Sequence, residues 1–169
     1  MKLRIAAKVD SADRVYFENT IKPLLAQPNV EFIGEIGDDQ KADFLGNALA
    51  CLAPIDWPEP FGLNMIEAMA CGTPTIAFRQ GSVPEVIDEG VSGLIVESVS
   101  EAVEAVERVK SMSRAACRNV FEERFTASRM ANDYLKLYQR LLDQRSPFNE
   151  SLMAELAESE SETIAEDAA

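Results

Sequence analysis

The chain alternates short apolar runs with longer amphipathic stretches, and this alternation limits its fold more than any other feature. Five runs have the length and composition of buried strands: Leu3–Ala7, Val30–Gly34, Ala48–Pro54, Thr75–Phe78 and Gly93–Val96. Helical patterns separate the runs, which predicts parallel strands joined by right-handed crossovers. The predicted fold class is therefore α/β, a parallel sheet with helices on both faces.

The spacing of polar and apolar residues also predicts where the helices begin and end. Ser11 is the expected N-cap of a first helix that runs to about residue 26. Further helices are expected over 38–47, 62–71, within 81–89, and over 99–112, 113–124 and 126–143. The run Ala48–Pro54 shows no polar alternation, which is typical of a central parallel strand covered on both faces.

Length and charge predict one folded domain, residues 1–145, followed by an acidic, disordered tail over 146–169. The chain has 169 residues and a net charge of −13. Seven acidic side chains and no Lys or Arg lie within 147–169, so that segment is expected to be solvated. The negative charge argues against nucleic acid and anionic membranes as main partners.

The remaining composition points to an intracellular protein without a metal centre. No run of 18 apolar residues predicts a transmembrane helix, and the N-terminal residues lack the apolar region of a secretory signal. Cys51, Cys71 and Cys117 are scattered in apolar surroundings, and the chain has no His. We therefore expect buried thiols, no zinc site and a reducing, cytoplasmic location.

One segment contains most of the residues that are expected to bind a ligand. It reads EPFGLNMIEAMACGTP, from Glu59 to Pro74, and places Glu59 and Glu67 eight positions apart around the start of a helix. Gly62 allows backbone N–H groups to approach a ligand closely, and a helix N-terminus favours a diphosphate. Carboxylates accept hydrogen bonds from sugar hydroxyls. The combination favours a sugar nucleotide as the ligand.

This segment resembles the donor-binding motif of retaining GT-B glycosyltransferases, the glycosyl transferases group 1 (family 4-like) enzymes. Two more blocks extend the resemblance: GSVPEVIDEGVSGLIV, from Gly81 to Val96, and NVEFIG, from Asn29 to Gly34. The resemblance covers roughly residues 1–143 and implies a Rossmann-like half-domain, the donor-binding half of a two-lobed enzyme. Family members are about twice as long, and their phosphate-neutralising G-R-x-x-x-x-K-G segment has no counterpart here.

The resemblance also assigns roles to the two acids. It implies that Glu67 accepts hydrogen bonds from the ribose hydroxyls; the alternative is an ordinary surface glutamate on an amphipathic helix. It implies that the catalytic Glu59 faces the transferred sugar, as a positioning and electrostatic group; the alternative is a solvated loop acid. A carboxylate nucleophile in a double displacement is a further option for retention.

Other donor-binding residues are expected around the helix start. Phe61, Gly62 and Leu63 would donate backbone N–H groups to sugar and phosphate oxygens, and Asn64 lies one turn before Glu67 on the same face. These residues also make a tight turn into the helix, which is compatible with the binding role.

Three residues outside this segment complete the predicted site. Gly81 and Ser82 would line the cleft, although Ser82 and Glu85 also have capping-box spacing. Lys8 would partly replace the missing phosphate-binding cations, with a surface lysine as the alternative.

The resulting hypothesis is a donor-binding domain that transfers a hexose from a nucleoside-diphosphate sugar to a hydroxyl acceptor. UDP-sugars are favoured, GDP- and ADP-sugars remain options, and no cofactor or metal is expected. The alternatives are a non-catalytic half that needs a separate acceptor subunit, and a GT-B epimerase or phosphorylase. Because the isolated half lacks an acceptor site, we expect little turnover by itself. The last helix has an apolar surface that predicts self-association or an acceptor-half partner.

Overall fold

A computed structural model of the protein describes residues 1–143; the tail predicted for 146–169 lies outside the described residues. Within 1–143 the strands form two parallel sheets. In the first, β1 (Leu3–Ala6) pairs with β2 (Val30–Gly34). In the second, β3 (Cys51–Ala53), β4 (Thr75–Phe78) and β5 (Gly93–Val96) pair in the order β3-β4-β5. The predicted parallel α/β class is confirmed.

The helices alternate with these strands, as the sequence pattern predicts. The first helical segment, α1, covers 11–24 and changes its winding: Ser11–Asp13 is 3₁₀, Arg14–Tyr16 is α, Phe17–Ile21 is π and Lys22–Leu24 is α. Then follow α2 (Asp38–Gly46), α3 (Leu63–Ala70), α4 (Val83–Val86), α5 (Val99–Arg108) with a 3₁₀ turn (Val109–Ser111), α6 (Arg114–Arg124) and α7 (127–143).

The start of α1 corrects one prediction. Asp10, not Ser11, occupies the N-cap position, and neither the 3₁₀ turn nor the α turn after it has a capping hydrogen bond from a side chain. The π-helical stretch ends two residues before Pro23, whose nitrogen has no hydrogen to donate. The helix therefore departs from regular α geometry where its hydrogen-bond ladder is interrupted.

The strand β3 corrects a second prediction. The run 48–54 is not a central strand covered on both faces: only Cys51–Ala53 is extended, it lies at the edge of its sheet, and Leu52 is 46% exposed. The Ala48 N–H donates to the Leu45 carbonyl at 3.0 Å, which uses that residue to close the turn after α2. The ladder with β4 begins only where the Cys51 N–H reaches the Pro74 carbonyl, at 2.9 Å.

The core lies around the central strand β4. Ile76 packs with Leu94 and Val96 of β5 and with Ala105 of α5, and all four are nearly inaccessible to solvent. On α3, the side chains of Met65, Ile66, Ala68 and Met69 are buried. Burial of this face stabilises the helix against the sheet and leaves its other face available to the surface.

Polar contacts fix the C-terminal end of α2 beside the start of β4. The Thr73 hydroxyl donates to the Leu45 carbonyl at 2.7 Å. The Arg114 guanidinium donates to the carbonyls of Gly46 and Ala48, at 2.7 and 2.8 Å, and to the Thr73 hydroxyl at 2.8 Å. Because these bonds tie three segments together, α2 has a defined position next to α3.

The described chain divides into two compact units, Met1–Phe121 and a second that begins at Glu122. All the candidate site residues lie in the first unit. In the second, α7 exposes large apolar side chains: Tyr134, Leu135, Tyr138, Leu141 and Leu142. Within residues 1–143, no helix combines the length and the apolar character that a membrane crossing requires.

Candidate functional site

Glu59 lies in the loop that follows β3, and both of its carboxylate oxygens are engaged. The Gly62 N–H donates to Oε1 at 3.0 Å, and the Trp57 indole N–H donates to Oε2 at 3.3 Å. Trp57 itself is 56% exposed. The carboxylate therefore links the loop to the start of α3, and the residue is half-buried.

The loop after β4 holds the loop after β3. The Ser82 N–H donates to the Glu59 carbonyl at 2.8 Å. Gly81 has φ +51°, and a Cβ at this position would overlap the Glu59 carbonyl oxygen and lie 2.5 Å from the Glu59 nitrogen. Only glycine allows this approach in this backbone conformation. Thus the structure brings Glu59, Gly62, Gly81 and Ser82 into one cluster at the carboxyl ends of β3 and β4.

The side chain of Ser82 does not play the predicted capping role. Ser82 occupies the N-cap position of α4, but its hydroxyl makes no capping hydrogen bond, so the capping box with Glu85 is absent. The residue is 8% exposed, and its Oγ is buried without a partner among the described residues. Buried hydroxyls are normally satisfied, so this one has an unused capacity for a hydrogen bond next to the Glu59 loop.

The chain turns into α3 at Gly62, which has a left-handed backbone conformation, and the side chains around this turn are exposed. Gly62 occupies the N-cap position with φ +77°, and the Met65 N–H donates to its carbonyl at 3.0 Å. Phe61 and Leu63 are 49% and 65% exposed, and Asn64 is exposed as well. Of the three backbone donors predicted here, the Gly62 N–H is already used by Glu59.

Glu67 lies on α3, away from the buried face, and its partner is a residue that the sequence did not single out. The Lys41 ammonium contacts Glu67 Oε1 at 2.9 Å and Asp38 Oδ1 at 3.0 Å. Hydrogen bonding to the Glu67 carboxylate, followed by that to Asp38, raises the pKa of Lys41 above its ordinary value. No sequence signal identifies Lys41, because the pairing joins residues 26 positions apart through the packing of α2 on α3.

Lys8 takes no part in these contacts. It is exposed, and its ammonium pairs with Asp10 at 2.8 Å in the loop after β1. Within residues 1–143, no three His, Cys, Asp or Glu side chains come together as a metal-binding group. Cys51 and Cys117 are poor ligands in any case, because burial raises the pKa of each thiol to about 11.

Known proteins resemble this chain in sequence and in fold. The N-acetyl-alpha-D-glucosaminyl L-malate synthase of Bacillus anthracis is 31% identical over 131 residues, which are 72% of this chain and 33% of that protein. The sucrose-phosphate synthase of Thermosynechococcus elongatus superposes with a TM-score of 0.68 at 25% identity, covering 85% of this chain and 39% of that one. Anabaena HepE, solved in complex with UDP, superposes with a TM-score of 0.69 at 18% identity, covering 83% and 41%.

The chain spans about a third of the length of the first curated relative, a 41.2 kDa protein of the Klebsiella pneumoniae cps region, which is 30% identical over 68% of this chain. The family model described as Glycosyl transferases group 1 matches residues 1–124. That range includes the Glu59 cluster, α3 and both sheets. The chain therefore belongs to the glycosyl transferases group 1 family.

Proposed function

We propose that this chain is the donor-binding portion of a retaining glycosyltransferase, which transfers a hexose from a nucleoside-diphosphate sugar to a hydroxyl acceptor. One observation carries the proposal: Gly81 and Ser82 hold the backbone of Glu59, and Glu59 in turn holds the start of α3. This cluster lies at the carboxyl ends of parallel strands, where open α/β sheets bind ligands. Membership of the family supports glycosyl transfer as the reaction class.

The diphosphate of the donor would lie at the N-terminus of α3. The exposed corner at Phe61 and Leu63 leaves room for phosphate oxygens next to the first backbone N–H groups of the helix. The partial positive charge there favours an anion. Because negative charge develops on the departing diphosphate during sugar transfer, the same groups would stabilise the transition state.

Glu67 would bind the ribose. Among the described contacts only its Oε1 is engaged, by Lys41, and an ionised carboxylate has about four acceptor positions. Oε2 therefore remains available for a vicinal pair of hydroxyls. The side chain is 40% exposed, so a nucleotide can reach it.

Glu59 would position and polarise the transferred sugar rather than attack it. Both of its oxygens already accept hydrogen bonds, from Gly62 and Trp57. Such bonds stabilise the carboxylate and lower its nucleophilicity, which favours an electrostatic role over a covalent double displacement. The unpaired Ser82 hydroxyl would then gain a partner from the bound sugar nucleotide, which accounts for its burial without one.

A uridine nucleotide is the favoured donor. Anabaena HepE has been solved with UDP and with UDP-glucose, and its fold over this region matches that of the present chain. The proposal includes no metal, because helix N–H groups and cations from the remainder of the enzyme can neutralise the diphosphate. Three free cysteines support a reducing, cytoplasmic location.

A second function, donor binding without turnover, is favoured by one observation: relatives are about three times as long as the segment matched here. A direct experiment separates the two. The 169-residue chain would be incubated with radiolabelled UDP-, GDP- and ADP-glucose and a mixture of hydroxyl acceptors, and bound donor and released nucleotide would both be measured. Binding of UDP-glucose without release of nucleotide supports the donor-binding role, whereas release of nucleotide with transfer of glucose supports a complete enzyme. No binding of any donor would contradict both functions.

A further inference from the structure

The contact between Lys41 and Glu67 joins two helices at the surface of the candidate site. Lys41 lies in the middle of α2, and its ammonium reaches Glu67 of α3 at 2.9 Å. The two side chains are 37% and 40% exposed, so the pair is half-buried. Asp38, one turn earlier on α2, is 96% exposed and holds the other side of the same ammonium at 3.0 Å.

This pair differs in kind from the ion pairs that lie along single helices. Lys110 pairs with Glu107 at 2.6 Å, three positions earlier, and both side chains are well exposed. Pairs of that type contribute little to stability and constrain only their own helix. Lys41 instead fixes the side chain of a residue that belongs to another element and to the proposed site.

The helix that carries Lys41 is itself held in place. Thr73 and Arg114 bind the carbonyls of Leu45 and Gly46 at the C-terminal end of α2. Because α2 cannot shift freely against α3, the position of the ammonium is defined by the fold rather than by the ion pair alone. A defined cation selects one orientation of the Glu67 carboxylate from its several rotamers.

We propose that Lys41 is a positioning residue for nucleotide binding: it holds the Glu67 carboxylate in one rotamer, with Oε2 turned to the ribose hydroxyls of the donor. The inference rests on the proposed donor-binding function. Lys41 donates to one of about four acceptor positions on the carboxylate and leaves the others for the ligand. The raised pKa of Lys41 agrees with a persistent contact, since the ammonium form is the one that Glu67 stabilises.

Without the ammonium, the Glu67 side chain can move among its rotamers. A ligand must then immobilise this side chain, which reduces the free energy of binding. Ordering one such side chain costs about 0.5–1.5 kcal/mol, which corresponds to a roughly 2- to 12-fold weaker affinity. The loss should appear only for ligands that contact Glu67. A ligand without ribose hydroxyls should be insensitive to the change.

The experiment compares calorimetric titrations of the full 169-residue chain with UDP and with 2′,3′-dideoxy-UDP. The variants are Lys41→Met, Lys41→Arg, Glu67→Gln and the Lys41→Met/Glu67→Gln double variant. Lys110→Met is the matched control, because it removes an exposed lysine from an ion pair outside the site. Thermal unfolding by circular dichroism verifies that each variant is folded.

We expect Lys41→Met to weaken UDP binding roughly 2- to 12-fold and dideoxy-UDP binding less than about twofold. Lys41→Arg should restore most of the affinity, Lys110→Met should match the wild type, and Lys41→Met should add nothing to Glu67→Gln. Equal losses of affinity for both ligands would assign Lys41 to the phosphates and overturn the inference. A Lys41→Met variant that binds UDP like the wild type would also overturn the inference. If the folded wild-type chain binds neither UDP nor UDP-glucose, the proposed function and this inference fail together.

Discussion

The backbone N–H of Ser82 donates to the carbonyl of Glu59 at 2.8 Å, so the loop after β4 holds the loop after β3 in place. This one bond, with the glycine before it, joins two segments that are more than 20 residues apart in the chain. It also sets the position of the Glu59 carboxylate, which in turn holds the Gly62 N–H at the start of α3. The geometry of the site therefore depends on backbone contacts as much as on its acids.

Replacing Gly81 tests this dependence. In Gly81→Ala, the new Cβ overlaps the Glu59 backbone and the residue keeps an unfavourable φ of +51°. Left-handed strain and overpacking together should lower the free energy of unfolding by about 2–4 kcal/mol. Gly90→Ala is the matched control: its φ is +77°, but nothing lies within 4 Å of its Cβ. Urea denaturation measures both variants, and equal losses would mean that the contact with Glu59 is unimportant.

Glu59→Gln separates the charge of this residue from its structural role. Glutamine keeps one oxygen that can accept from Gly62, but it removes the negative charge and the acceptor for the exposed Trp57 indole N–H, so the turn into α3 should stay folded. We expect UDP to bind within about twofold of the wild type and UDP-glucose to lose roughly 3- to 10-fold, since only the sugar would face Glu59. The fluorescence of Trp57, the chain's only tryptophan, follows both titrations, because its indole nitrogen lies 3.3 Å from Glu59 Oε2 in the wild type. Similar losses for the two ligands would contradict a role at the sugar.

The raised pKa values of two thiols make the stability of the folded protein fall as the pH becomes alkaline. Burial raises the pKa of Cys51 and of Cys117 from 9.0 to about 11 in the folded protein. The folded state therefore binds more protons than the unfolded state between these values, so the free energy of unfolding falls as the pH rises from 9 to 11. Urea denaturation at pH 8, 9, 10 and 10.5 measures the slope. A Cys51→Ala/Cys117→Ala variant should show a shallower slope, and an identical slope would contradict the assignment.

The exposed apolar side chains of α7 predict self-association or a partner surface. Leu135→Glu/Leu142→Glu places two charges among them, where the side chains are 64% and 63% exposed, so the helix itself should tolerate the change. Sedimentation velocity should show concentration-dependent association of the wild type and a monomer for the variant. A wild-type chain that stays monomeric up to about 100 μM would argue against self-association at physiological concentrations.

Residue patterns in the sequence predict strands and helix starts correctly where the tertiary packing favours the same local structure. The strands β2, β4 and β5 have the predicted bounds, and Gly62 lies at the start of α3 as expected. Their apolar runs lie between clear turn residues, so the local preference and the tertiary fold coincide. The sequence also predicts the family, because the resemblance rests on contiguous motifs.

The N-cap of α1 is a local failure, one residue off at Asp10. The other three failures share a physical cause, because each depends on a contact between distant segments. The apolar run before Pro54 predicts a central strand, yet the pairing of its neighbours leaves β3 at an edge with Leu52 exposed. Ser82 has a capping spacing, yet its hydroxyl makes no capping hydrogen bond and is buried without a partner among the described residues. Lys41 carries no motif, and only the packing of α2 on α3 brings it to Glu67.

Calorimetric titration of the wild-type 169-residue chain and of Glu67→Ala with UDP-glucose tests whether this chain binds a nucleotide sugar through Glu67. We expect saturable binding to the wild type, weakened by about 1–3 kcal/mol in the variant through loss of the ribose hydrogen bonds. Glu107→Ala, which alters an exposed pair outside the site, should bind like the wild type. A folded wild-type chain that gives no binding heat at several temperatures would contradict donor binding, and a Glu67→Ala variant with unchanged affinity would contradict the ribose role of Glu67.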